Sequence, residues 1–234
     1  MKLFYDSPSA KLYEGVAQKL DLIPDDSVNL ICTSPPFNIG APAGEAWSVP
    51  DWYKDDMPES EYQEAQIKAL AEMFRVARPG ASLMYEHKVR LKDGTGIHPM
   101  QWLLKTEWSF IQQITWDRGS THNHIPTRFW PQDELIFWLA KGKPDNVNGQ
   151  YMKFSSVWKI QFETNSWHPA PFPIQLPERC ILACSKEGDI VLDPFSGSGT
   201  TVRAAQNLKR IGIGVDKEIK YLEKSKLRLM QRSM

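Results

Sequence analysis

Net charge is absent. Lys and Arg number 28 and Asp and Glu number 28, so the formal charge is zero. The overall basic character common in nucleic-acid proteins is missing, which counts mildly against such a partner. Cysteine is scarce. The three cysteines, Cys32, Cys180 and Cys184, form no CxxC pair and no disulfide framework, which fits a reduced, cytoplasmic compartment. Cys180 and Cys184 stand four apart in an expected helix, a spacing that suits buried packing better than a metal site, so no metal is expected. No apolar run approaches membrane-spanning length, and Met1 to Ala10 lacks the apolar core of a secretory signal. Internal repeats and low-complexity tracts are also missing. The remaining composition, 41% hydrophobic and 24% charged over 234 residues, suits a single α/β domain covering 1–234.

Zero net charge hides an uneven distribution. From Thr201 to Met234 nine Lys and Arg (Arg203, Lys209, Arg210, Lys217, Lys220, Lys224, Lys226, Arg228, Arg232) face three acids (Asp216, Glu218, Glu223), a local charge of +6. A solvated helix face and a phosphate-contacting surface both account for it.

Along the chain, Val28 to Thr33 is a short apolar run that predicts a buried strand. It stops at Ser34-Pro35-Pro36-Phe37, and two prolines cannot continue a central strand, so a rigid loop is expected there. Asn38 to Pro58 is a long loop of Pro, Gly and aromatic residues, of the kind that is mobile or functional. Ser60 and Gln63 form a capping-box pattern ahead of Ile67, Leu70, Ala71, Phe74 and Ala77, which predicts a helix ended by Pro79-Gly80. Strands are expected at Ala81 to Tyr85, Phe110 to Trp116 and Leu135 to Leu139. Most of the tryptophans between 102 and 138 are expected in the core.

The C-terminal third reads as helix (Leu176 to Ser185), strand (Ile190 to Leu192), a Gly-rich turn, helix (Thr201 to Leu208), strand (Ile211 to Val215) and an amphipathic helix (Glu218 to Arg232). Strand, Gly-rich turn, helix, strand and acid make the βαβ pattern of a nucleotide-type site. In Asp193-Pro194-Phe195-Ser196-Gly197-Ser198-Gly199-Thr200-Thr201, Gly197 and Gly199 allow close approach of backbone to a ligand. The helix that follows offers free N–H groups. Asp216, seventeen residues past Gly199, stands where an acid accepts hydrogen bonds from ribose hydroxyls.

The Ser34–Phe37 loop has a chemistry of its own. An exocyclic amino group is a poor nucleophile because its lone pair is delocalised into the ring. Acceptors aimed at its hydrogens draw that pair back onto nitrogen. The Ser34 hydroxyl and the Pro35 carbonyl could serve, and proline stiffens the loop without adding a donor. Phe37 could stack on an extruded base. Taken alone, the segment also reads as a structural Pro-Pro turn.

Together, Thr33-Ser34-Pro35-Pro36-Phe37-Asn38 and Asp193 to Thr201 resemble the two signature motifs of DNA amino-methyltransferases. The catalytic motif precedes the cofactor motif by 159 residues (193 − 34), which resembles the permuted β-class order. Arg78-Pro79-Gly80-Ala81, Trp116-Asp117-Arg118-Gly119, His168 to Pro173 and Leu176-Pro177-Glu178-Arg179 resemble further segments of that family, so the resemblance runs from about Leu12 to Leu229. It implies a Rossmann-like S-adenosylmethionine-dependent methyltransferase fold, α/β, with a mostly parallel sheet and an antiparallel edge hairpin. It implies that Asp193, Phe195, Gly197, Gly199, Thr200 and Asp216 line the S-adenosylmethionine site, with Pro171, Phe172 and Pro173 at its methionine end. Ser34, Pro35, Pro36 and Phe37 would hold the target base, and Ser34 rather than aspartate in the first catalytic position implies cytosine N4 over adenine N6. The implied partner is double-stranded DNA. A homodimer and a cognate restriction enzyme stay open.

Two departures from the family pattern stand out. Many relatives carry Gly-Asp after the first strand, where the acid contacts the cofactor adenine; here Glu14-Gly15-Val16 places valine in that slot. The stretch from Gly142 to Val157 is also short for a target-recognition domain, leaving 38–58, 86–130 or a second subunit as candidates to read DNA. Rival chemistries lack their residues. No Pro-Cys occurs for carbon-5 methylation of cytosine, no H-x-E with P-C-x-x-C occurs for a zinc deaminase, and Val202 replaces the third glycine of a dehydrogenase fingerprint. RNA base methylation and a catalytically silent DNA-binding homologue remain as further alternatives.

Overall fold

The computed structural model describes residues 1–40, 55–120, 129–161 and 173–231. Eleven strands occur among them: β1 (Lys2–Ser7), β2 (Ala10–Glu14), β3 (Val28–Thr33), β4 (Ala77–His87), β5 (Arg90–Lys92), β6 (Thr95–Ile97), β7 (Ser109–Asp117), β8 (Asp133–Ala140), β9 (Val157–Lys159), β10 (Ile190–Asp193) and β11 (Ile211–Asp216). The helices are α1 (Glu59–Val76), α2 (Met100–Leu103), α3 (Gln175–Cys184), α4 (Thr200–Asn207) and α5 (Ile219–Met230). No described helix is long and apolar enough to cross a membrane.

Nine strands form one sheet in the order β1-β2-β11-β10-β3-β4-β8-β7-β9, and β5 and β6 form a separate hairpin. The run β2-β11-β10-β3-β4 is parallel throughout. β1 turns back against β2 as the antiparallel edge hairpin, and β8 lies antiparallel between β4 and β7. The fold is therefore the mostly parallel α/β arrangement expected from the sequence. From β10 the chain crosses through α4 to β11 on one side, and from β3 through α1 to β4 on the other. The crevice between β10 and β3 is thus the topological switch point, where open α/β sheets bind ligands at the carboxyl ends of their strands.

Alternation along the strands separates two cores. Ile31, Leu83, Tyr85 and Phe137 face α1 with Tyr62, Leu70 and Met73. Leu30, Cys32, Met84, Ile136 and Trp138 face α3 and α4 with Cys180, Ile181 and Ala204. Helices therefore cover both faces, as a parallel sheet buried on two sides requires. All three cysteines are free and buried, and burial pushes the Cys184 thiol up to about 12, so packing is their role. Trp102, Trp108, Trp116 and Trp138 are core residues, whereas Trp130 is exposed.

Two local expectations are corrected. α1 starts after Pro58 with no side-chain cap, and Gln63 donates instead to Glu59 Oε1 (2.8 Å), so Ser60 and Gln63 form no capping box. The helix also ends at Val76 rather than at Pro79-Gly80. Ala77 is already extended (φ −68°, ψ 132°) and opens β4, and Pro79 keeps Arg78 out of the helical region as well. Arg78 to Gly80 instead bulge within β4: Ala77 pairs with Val28 and Ser82 with Leu30. Gly80 takes φ +81° there, a conformation that favours glycine.

Candidate active site

Five parallel strands deliver the relevant residues to one end of the sheet. β3 ends at Thr33, so Ser34, Pro35, Pro36 and Phe37 emerge at its carboxyl end, with Pro35 buried and the other three half-buried. β10 ends at Asp193 directly alongside, with Leu192 paired to Ile31. The two motifs, 159 residues apart in sequence, therefore meet.

Asp193 makes the junction. Its Oδ1 accepts from Thr33 Oγ1 (2.7 Å) and from the Phe195 N–H (3.1 Å). Burial pushes its carboxyl up to about 6, against those hydrogen bonds. Thr33 was not singled out from sequence, yet it ties the base of one motif to the start of the other.

The Gly-rich turn is held open by backbone that only glycine adopts easily. Gly197 has φ +46° and Gly199 φ +75°, and a Cβ on Gly199 would lie 2.0 Å from Ser225 Oγ. Asp216 closes the turn: Oδ2 accepts the Gly197 N–H (2.8 Å) and Oδ1 the Glu218 N–H (2.9 Å). Each oxygen keeps a second lone pair. Burial raises the Asp216 carboxyl above its ordinary value. Thr200 opens α4, and its Oγ1 accepts from Arg228 of α5 (2.6 Å). Phe195 is half-buried, and Pro173 is buried just before α3. Pro171 and Phe172 lie outside the described residues, as do 41–54 of the long loop. Val16 is 44% exposed beyond β2, the strand beside β11.

These residues fit a nucleoside-bearing cofactor. The turn has no room for side chains at Gly199, Ser196 Oγ is buried without a partner among the described residues, and an acid stands at the end of the next strand.

Sequence reasoning missed the neighbours of Ser34. Its hydroxyl donates to Glu86 Oε2 (2.5 Å) at the end of β4. Glu86 is buried, and its Oε1 has no partner among the described residues. Burial, and then the nearby charge of Glu134 on β8, hold the Glu86 carboxyl well above the usual range, with the Ser34 hydrogen bond and then the Lys88 charge opposing. Glu134 pairs with Arg118 (3.0 Å) and Lys88 (3.8 Å). On the other face of β4, His87 packs against the Phe37 ring (centroids 4.7 Å apart), and Lys88 Nζ lies 4.9 Å from the same ring. The available signal was Glu86-His87 directly after the apolar run Ala81 to Tyr85, on the strand expected to follow β3.

Of the basic tail, Arg210 is buried and donates to the Ser185 carbonyl (2.7 Å), and Arg203 donates to the Gln231 carbonyl (2.8 Å). With Arg228 on Thr200 and Lys209 on Glu187 (3.3 Å), at least four of its cations bind the protein itself.

Comparison with known proteins agrees with this arrangement. A family model described as DNA methylase matches residues 28–227. The Type II methyltransferase M.HpaI of Haemophilus parainfluenzae is 31% identical over 227 residues, covering 88% of this chain and 69% of that protein. M2.LlaDCHI of Lactococcus lactis subsp. cremoris is 28% identical, covering 97% and 92%. Among solved structures, PvuII DNA methyltransferase (cytosine-N4-specific) superposes with a TM-score of 0.82 at 18% identity, covering all of this chain and 90% of that one. The M1.HpyAVI–SAM complex superposes at 0.65 and 21%, covering 94% and 99%. Carrying both motifs at one end of the sheet and matching the family over most of its length, the chain belongs to the S-adenosylmethionine-dependent DNA methyltransferases of the N4/N6 amino-methylating family.

Proposed function

We propose that this methyltransferase modifies the exocyclic N4 of cytosine in duplex DNA, with the base flipped into a pocket built on Ser34, Pro35, Pro36 and Phe37. The observation that carries this reading is the bond from Ser34 to Glu86. By donating its only proton to a carboxylate, the Ser34 oxygen presents lone pairs, and no donor, to an incoming amino group. No described residue donates to the Pro35 carbonyl, which is the second acceptor. Two acceptors on one amino group localise its lone pair on nitrogen. A serine in the first catalytic position, and the superposition on a cytosine-N4-specific enzyme, favour cytosine over adenine.

A bound S-adenosylmethionine would supply an electrophilic methyl group with its sulfur as the leaving atom, and the methylated nitrogen would carry one proton too many. Ser34 takes that proton as it passes its own to Glu86. Burial makes Glu86 a stronger base than an ordinary carboxylate. Asp193, Phe195, Gly197, Gly199, Thr200 and Asp216 hold the cofactor, with Pro171, Phe172 and Pro173 at its methionine end. DNA reading falls to 38–58, to 86–130 or to a second subunit. The whole chain acts as one catalytic domain.

Mass spectrometry of nucleosides tests the base. DNA from a host without DNA methylation, after expression of this protein, should contain N4-methylcytosine. N6-methyladenine alone would overturn the base assignment, and activity on RNA alone would overturn duplex DNA as substrate.

A further inference from the structure

We infer that Tyr62 and His87 form a one-way hydrogen-bond chain that sets the angle of the catalytic loop, making both positioning residues for methyl transfer. Three contacts build the chain. The Lys88 N–H donates to His87 Nδ1 (2.8 Å), His87 Nε2 lies 2.7 Å from Tyr62 Oη, and Tyr62 Oη donates to the Pro36 carbonyl (2.8 Å).

A phenol has one proton. If Tyr62 gives it to Pro36, His87 must be the donor between His87 and Tyr62, so its proton sits on Nε2. Nδ1 is then bare and accepts from Lys88. The alternative tautomer would point Nδ1–H at the Lys88 carbonyl, also 2.9 Å away. Its bare Nε2 would accept a hydrogen bond from the Tyr62 hydroxyl, leaving the Pro36 carbonyl and the Lys88 N–H without these partners. The first arrangement makes three bonds and the second makes two. Both residues are buried, and burial holds the imidazole down to about 3, so the ring is neutral and the tautomer is a real choice.

The consequence lies in the loop. Proline rings fix φ at Pro35 and Pro36, so the soft torsions that remain are their ψ angles. Pinning the Pro36 carbonyl fixes the second of these, and with it the direction in which Phe37 leaves the loop. The same imidazole packs against the Phe37 ring at 4.7 Å. Arg90 holds Tyr62 from behind, 4.7 Å from its ring and doubly bonded to Glu59 (2.8 Å each). α1 is thereby coupled to the base pocket.

This inference rests on the proposed role of the Ser34–Phe37 loop, and its test separates the two. ¹⁵N spectra of the labelled, unaltered protein should show His87 protonated on Nε2 and bare on Nδ1; a proton on Nδ1 would overturn the chain. Tyr62→Phe should lower kcat for tritium transfer to DNA from an unmethylated host by about tenfold or more, the loss of a positioning contact. KM for that DNA and calorimetric affinity for S-adenosylmethionine should stay within about twofold. His87→Gln, which keeps a donor near the Nε2 position, should lose less activity than His87→Leu. A Tyr62→Phe kcat within about twofold of the parent would also overturn the inference. A parent protein that transfers nothing to DNA would sink the reading of the loop, while the spectrum still decides the tautomer. The spectrum needs no variant, so a substitution that fails to fold does not remove the test.

Discussion

At the scale of single residues the chemistry turns on Ser34 and Glu86. Ser34→Ala removes the acceptor and the relay together, so kcat should fall by about two to three powers of ten while cofactor affinity holds. Glu86→Gln keeps an oxygen for Ser34 but cannot take a proton. The sign of the pH effect follows from the raised carboxyl. Glu86 must be ionised to act, so the parent rate should climb as pH rises through its elevated pKa. Glu86→Gln should be slow and lack that limb. Tritium transfer between about pH 5.5 and 9 decides the matter; a limb that survives in Glu86→Gln assigns the titration to another group. Ser34 was legible in the sequence because it stands beside two prolines after an apolar run. Glu86 was not, because nothing in a linear sequence aims the end of one strand at the end of its neighbour.

At the scale of elements, the turn between β10 and α4 was readable and Asp216 was readable only in part. The sequence places an acid at the end of the strand after a Gly-rich turn. It does not reveal that this acid holds the turn through the Gly197 and Glu218 amides. Asp216→Ala should therefore do two things. Cofactor affinity should weaken by roughly 1–3 kcal/mol in calorimetry, and the melting temperature should fall even without cofactor, because two backbone donors lose their acceptor. Unchanged affinity with a lowered melting temperature would leave Asp216 a turn staple and remove it from the cofactor site. Misreadings at this scale have local causes. Pro79-Gly80 reads as a helix stop, but register with β3 places it in a bulge. β1, which has no fully buried position, and the short β5–β6 hairpin do not announce themselves by pattern.

At the scale of the whole molecule, buried titratable groups tie stability to pH. His87 is held neutral, its pKa lowered from 6.5 to about 3 by burial. Its contribution is fully present above 6.5 and is lost as pH falls toward 3, because the unfolded chain takes up a proton that the folded one refuses. Asp193, raised from 3.8 to about 6, acts in the opposite sense: its contribution is present below 3.8 and lost as pH rises through 6. Asp193 is common to both proteins when the parent is compared with His87→Gln, so the difference isolates the imidazole. Any stability deficit of His87→Gln at pH 7.5 should shrink by up to roughly 3 kcal/mol at pH 4.5 in urea unfolding. A gap independent of pH would mean that His87 is not the buried neutral ring described.

The sequence by itself determined the parts whose physics is local. An apolar run stopped by Pro-Pro, glycines where φ is positive, an acid after the following strand and the order of the two motifs are all written along the chain. Their resemblance to the motifs of DNA amino-methyltransferases implied the fold, the cofactor and the reaction class. Tertiary structure alone decided which groups surround the reacting loop. Strand order brings β4 against β3 and β8 against β4, and the alternation of side chains sends Glu86 to one face and His87 to the other. The proton acceptor and the hydrogen-bond chain beneath Phe37 therefore depend on pairings between segments about 25 to 60 residues apart, set by the burial of whole sheet faces.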